Sequence, residues 1–192
     1  MGHIWDELAF SVRSPPAAGD EGDAGQTLAS PTQGPSQVYV VAVNGGSATH
    51  RAREIWARTR LHVWPERYLL ASLPLDRLAD AAAFVASRPG AFAALVVERD
   101  EVSVTAVLSA WNESALAAFA RTSGPLRAIT LDIDIDLDVC GYLAPAATLL
   151  GEAGLSIVPQ CAFSKDHILV REEDLETAIG VLDDWIRSCQ RL

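Results

Sequence analysis

Basic residues are scarce in this chain. Fifteen Lys and Arg stand against 25 Asp and Glu over 192 residues, giving a formal net charge of −10. No Lys/Arg cluster interrupts that excess. Binding a polyanion takes cations from the protein, so the composition excludes nucleic acid as a partner. The same charge excludes an anionic membrane surface. Cysteine is scarce as well. Cys140, Cys161 and Cys189 are odd in number and far apart, which argues against a disulfide framework and for a reducing, cytoplasmic setting. No apolar run approaches ~18 residues, so no transmembrane helix is expected. Met1 to Phe10 lacks a basic start followed by an apolar core, so no secretory signal is expected.

Signatures of catalysis and metal binding are missing too. His3, His50 and His62 show no metal-ligand spacing with the cysteines. The acidic run that begins at Asp132 invites a calcium reading. An EF-hand loop needs Gly at its sixth position and Glu at its twelfth, and starts at Asp132, Asp134 or Asp136 put Leu143, Pro145 or Ala147 at the twelfth. Ser164-Lys165-Asp166-His167 holds nucleophile and base types. Adjacent residues in a turn do not converge on one reacting atom, and there is no Gly-x-Ser-x-Gly elbow. The inventory therefore assigns no catalytic residue, no metal and no cofactor, and the expectation is a protein that is not an enzyme.

Hydrophobic residues, at 49%, are ample for a packed core. The clearest pattern is the alternation of acids and aliphatics from Asp132 to Val139, ending at Cys140-Gly141. It predicts a strand from about Leu126 to Asp136. Ile133, Ile135, Leu137 and Val139 would face a core, and Asp132, Asp134, Asp136 and Asp138 would face water. A helix is expected from Gly141 to Ala153, with Asp138 as its N-cap, Pro145 in its first turn and Gly154 as its left-handed C-cap. Strands follow at Leu155–Phe163 and Ile168–Val170. A last helix begins at Glu172 and buries Leu175, Ile179, Leu182 and Ile186.

Upstream, residues 1–35 read as a flexible segment because Ser14 to Ser36 is rich in Pro, Gly, Ser and acid. Gln37–Val43 reads as a strand. Ser47–Arg60 reads as a short helix with Ile55 and Trp56 on one side, and Arg67–Leu73 as a strand. Leu75–Ser87 reads as a helix burying Leu75, Leu78, Ala82 and Val85. Ala91–Val97 and Glu101–Leu108 form the best hairpin in the chain. Asn112 would cap a helix with Leu116 and Phe119 inward, broken at Gly124-Pro125. From Arg67 the order strand, helix, strand, strand, helix occurs twice. This is an α+β pattern of ferredoxin-like units, whose antiparallel sheets carry helices on one face and leave the other wet.

The segment from Asp136 to Ile179 resembles the ACT-domain family, in particular arginine-sensor-type tandem modules. The resemblance rests on Asp136-Leu137, Gly141-x-Leu143-Ala144, Gly151-Glu152-Ala153-Gly154-Leu155-Ser156-Ile157 and Asp166-His167-Ile168-Leu169-Val170-Arg171-Glu172-Glu173-Asp174-Leu175-Glu176. A weaker likeness covers Pro65-x-x-Tyr68, Leu73-Pro74 and Asp100 to Val104. It implies a ferredoxin-like ACT fold of two tandem β-α-β-β-α units, with a first ACT-like domain over 36–124 and a second over 125–192. It also implies a regulatory module that binds an amino acid or a similar small metabolite, often at an interface between modules. The expected site is Asp136, Asp138, Val139, Cys140, Gly141 and Tyr142 on one side, Ser156, Ile157 and Val158 on a second strand, and Asp166. Backbone N–H groups near Gly141 would hold a carboxylate, and Asp136, Asp138 or Asp166 an ammonium group. The alternative is an interaction module that pairs with a second copy or a partner protein through unpaired sheet edges.

Overall fold

β-Branched and aliphatic runs separated by turn residues build seven strands in the computed structural model, which describes residues 46–191. The expected flexible segment 1–35 and the expected strand Gln37–Val43 lie outside the described residues. In chain order the strands are β1 (Arg60–Val63), β2 (Tyr68–Leu73), β3 (Ala94–Val97), β4 (Val102–Val107), β5 (Arg121–Asp132), β6 (Ile157–Cys161) and β7 (Asp166–Arg171). The helices are α1 (Gly46–Trp56), α2 (Leu78–Ala86), α3 (Leu108–Asn112), α4 (Ala144–Glu152) and α5 (Leu175–Gln190).

All seven strands join one antiparallel sheet in the order β3-β4-β2-β5-β7-β6, with β1 paired to β5. β5 is its spine. Its beginning pairs with β2, Leu126 lying opposite Tyr68, and its end pairs with β1, Asp132 lying opposite Arg60. Its other edge pairs with β7. The boundary expected between residues 124 and 125 therefore falls inside a continuous strand. At that point the β2–β5 register shifts, and a Cβ on Gly124 would sit 3.1 Å from the Tyr68 carbonyl oxygen. The two backbones approach closely because Gly124 has no side chain.

Helices cover one face of the sheet. Ile129 and Leu131 of β5 and Ile168 and Val170 of β7 meet Trp56 of α1, Leu150 of α4 and Leu182 of α5. Leu69, Ala71, Val102 and Val104 meet Phe84 of α2 and Trp111 of α3. Trp56 and Trp111 are fully buried packing anchors. In α5, Leu175, Leu182 and Ile186 are buried with Ile179 packed beside them.

The opposite face was expected to be wet, and its centre is dry. Tyr68, Thr105, Ala128, Thr130, His167 and Leu169 point that way and are all buried. The cause is curling. Gln160 on β6 donates to the Thr105 hydroxyl on β4 at 2.6 Å, although β7, β5 and β2 lie between those strands in the sheet. The sheet bends until its two sides touch across the concave face. Trp64 and Phe92 fill the remaining space.

Other expectations fail for local reasons. The acidic strand stops at Asp132, because β7 ends at Asp166 opposite Leu131 and β1 ends at Arg60 opposite Asp132. Residues beyond Asp132 have no ladder partner, and 133–143 is loop. Ile133, Ile135 and Val139 still pack against the core, whereas Leu137 is 73% exposed. α2 turns Ala81 and Phe84 to the core and leaves Leu75 and Leu78 exposed, so the expected stripe was out of phase. Ser114, not Asn112, caps the turn Ala115–Phe119, and Phe119 is exposed under the Arg77 guanidinium. β1 was not anticipated.

Candidate functional site

A cleft of about 330 Å³ opens where β5 runs out into the loop before α4. Its walls are Ile135 to Leu137, Val139 and Gly141 to Ala144 on one side and the β6–β7 turn, Cys161 to Asp166, on the other. The loop backbone crosses to that turn once, where the Ile135 N–H donates to the Ser164 carbonyl at 3.0 Å. Gly141 sits at φ +76, a left-handed conformation that favours glycine, and brings the chain into α4. Pro145 lies in the first turn of α4 as expected, and Gly154 closes the following turn at φ +78. Among the described residues, the N–H groups of Gly141, Tyr142 and Leu143 donate to no backbone carbonyl. They lie just ahead of α4, whose N-terminal end stabilises an anion.

Three charged side chains line the cleft, namely Asp136, Lys165 and Asp166. Lys165 bonds Asp132 and lies 3.4 Å from Asp134. The bond to Asp132 holds the Lys165 ammonium above its ordinary pKa and the Asp132 carboxyl below its own. Asp136 faces Arg51 of α1 at 3.8 Å. Asp166 is half-buried and, among the described residues, forms no ion pair. Its carboxylate accepts the Cys161 thiol, which with burial pushes that thiol up to about 11. A thiol protonated at neutral pH is a poor nucleophile.

Tyr142 anchors the loop. It is buried, stacks on Trp56 at 4.8 Å between centroids, and accepts the Trp56 indole N–H at its carbonyl at 2.7 Å. Its hydroxyl is hydrogen-bonded to Thr59 at 2.8 Å, and burial raises its pKa well above the usual phenol value. The side chain thus serves packing.

Of the expected site residues, the structure brings Asp136, Val139, Gly141, Tyr142 and Asp166 together. Asp138 and Cys140 flank the cleft without lining it. Asp138 is not the N-cap of α4. Leu143 holds that position without a side-chain cap, and the Asp138 carboxylate accepts Arg51 at 3.1 Å instead. Ser156, Ile157 and Val158 are not at the cleft. β6 runs antiparallel to β7, so its first residue pairs with Val170, and its last, Cys161, reaches the site. Lys165 and Phe163 were missed. Their signal was the short turn between two strands, where Phe163 and Lys165 stand beside Asp166. No group of three or more His, Cys, Asp or Glu able to hold a metal ion occurs among the described residues, and no helix there is long and apolar enough to cross a membrane.

Residues 122–184 match the family model described as the ACT domain. No curated protein matches the chain. A protein of unknown function from Vibrio cholerae, described as a possible transport protein, is similar at TM-score 0.58 and 19% identity, over 73% of this chain and 99% of that one. A protein from Agobacterium tumefaciens is similar at TM-score 0.53 and 21% identity, over 66% and 88%. The ligand-free regulatory subunit of aspartate kinase from Thermus thermophilus is similar at TM-score 0.50 and 12% identity, over 66% and 97%. At these identities the likeness is one of fold. The chain has an α+β, ACT-like fold.

Proposed function

We propose that this protein is a non-enzymatic regulatory module that binds an amino acid in the cleft between the 133–143 loop and the β6–β7 turn. The observation that carries the reading is the pairing in one cleft of a half-buried carboxylate, Asp166, that forms no ion pair among the described residues, with backbone N–H groups ahead of α4 that donate to no backbone carbonyl among them. Asp166 receives the ammonium group, and the N–H groups of Gly141 to Leu143 receive the carboxylate. Leu137 and Phe163, 73% and 84% exposed, rim the cleft as apolar surfaces for a side chain or for a second module closing over it. The sheet order supports two ACT-like units sharing β5. One reads β5-β2-β4-β3 and the other β1-β5-β7-β6, with β1 in the place of the missing last strand.

A thermal-shift screen of the common amino acids at millimolar concentration tests this. A ligand at 100 times its Kd stabilises the native state by about 2.7 kcal/mol, so a binder raises Tm measurably. Asp166→Asn removes the shift. A folded protein whose Tm moves with no amino acid overturns the reading.

A second reading is favoured by the edge strand β3, where Val96 and Val97 are 49% and 52% exposed and no outer neighbour strand is present among the described residues. There the protein pairs with a second copy through that edge. Light scattering after size exclusion decides it: a dimer that Val96→Lys dissociates supports pairing, and a monomer at high concentration rejects it.

A further inference from the structure

The charge balance of the cleft names the class of amino acid it takes, on the reading of the cleft as an amino-acid site. Of its three charged lining residues, Lys165 and Asp136 are ion-paired within the chain, whereas Asp166 accepts the uncharged Cys161 thiol and forms no ion pair among the described residues. The partner of Asp136 is Arg51, which also bonds Asp138 at 3.1 Å. Arg51 lies on α1, outside the segment that matches the ACT model. One guanidinium thereby occupies the two loop carboxylates nearest the cleft.

We propose that Arg51 sets the charge selectivity of this site. With Asp136 and Asp138 occupied, one carboxylate is left for a ligand cation. The cleft then takes an amino acid with an uncharged side chain in preference to a dibasic one. An amino acid with a second ammonium group would have to displace Arg51 to find a counter-charge. Without Arg51, two uncompensated carboxylates attract that second cation. The contact is exposed, with Arg51 at 48% and Asp136 and Asp138 at 86% and 70%. An exposed pair adds little to stability. α1 is also held independently by buried Trp56. Removing the guanidinium therefore changes the charge of the site and leaves the fold intact.

L-Norleucine and L-lysine differ in the terminal ammonium group and make a matched pair of probes. Calorimetry on the full chain at low salt is expected to show tighter binding of norleucine by the wild type. In Arg51→Gln the ratio of the two affinities moves toward lysine by about threefold. The change shrinks in ~150 mM salt, because exposed charges are screened. Arg51→Lys keeps the wild-type order. A ratio unchanged in Arg51→Gln, or a wild type that prefers lysine, overturns the assignment of Arg51 while leaving the cleft a binding site. If neither probe nor any other amino acid binds wild type or variant, the cleft reading falls and the selectivity role falls with it.

Discussion

His167 shows how a single side chain registers the curling of the sheet. It is 8% exposed, lies 4.4 Å from the Phe92 ring, and holds the Thr130 hydroxyl at 2.8 Å through Nδ1. Trp64 donates its indole N–H to the same Thr130 oxygen at 2.8 Å. The hydroxyl proton is therefore free to go to Nδ1, which leaves the imidazole proton on Nε2. Burial lowers the pKa of His167, opposed by Asp166 and reinforced by Lys165. The folded protein thus keeps His167 neutral while the unfolded chain protonates it near the ordinary value of 6.5. Stability is fully present above that value and falls as pH drops through it toward the folded pKa, by at most about 1.4 kcal/mol per pH unit. Urea unfolding at pH 7.5, 6 and 5 should show this loss, with a shallower slope in His167→Gln. An equal slope in the variant would place the titration elsewhere. The sequence set His167 among a turn motif without function. Nothing local to it signals a concave, dry face, because that face exists only once β4 and β6 meet.

Among the elements, those with strong local signals were legible. The β3–β4 hairpin matches its expectation, with Val97 opposite Val102 across the polar tip, since two β-rich runs and a short turn suffice to specify it. The acidic run misled, because alternation fixes which side chains face inward but not whether a neighbouring strand is long enough to pair. β1, with four residues, is too short to announce itself. Its place comes from β5, whose far end needs a partner opposite Ile129 to Asp132. α1 and β1 together supply Trp56, Arg51 and that edge. A chain beginning at Trp64 should therefore lose cooperative unfolding by circular dichroism, because Ile129 and Leu131 lose their cover and the loop loses its Tyr142 anchor. A sharp two-state transition in that fragment would mean the added elements are ornamental.

For the whole molecule, the fold class was readable and its assembly was not. The repeated order of strands and helices pointed to ferredoxin-like units, and one sheet running through a shared strand replaced the separate sheets expected. The ACT resemblance pointed to Asp136, Gly141 and Asp166, which line the cleft, whereas Arg51 arrives from 85 residues ahead of Asp136 through packing alone. The pairing of β1 with β5 has a consequence for synthesis. Val63 waits for Ile129, and Trp56 waits for Tyr142, 86 residues later. A ribosome adding about 5–20 residues per second leaves these apolar groups without their partners for several seconds. β1 is housed only after β5 has been made, so the nascent chain presents Trp56, Leu61 and Val63 to chaperones before it can hide them.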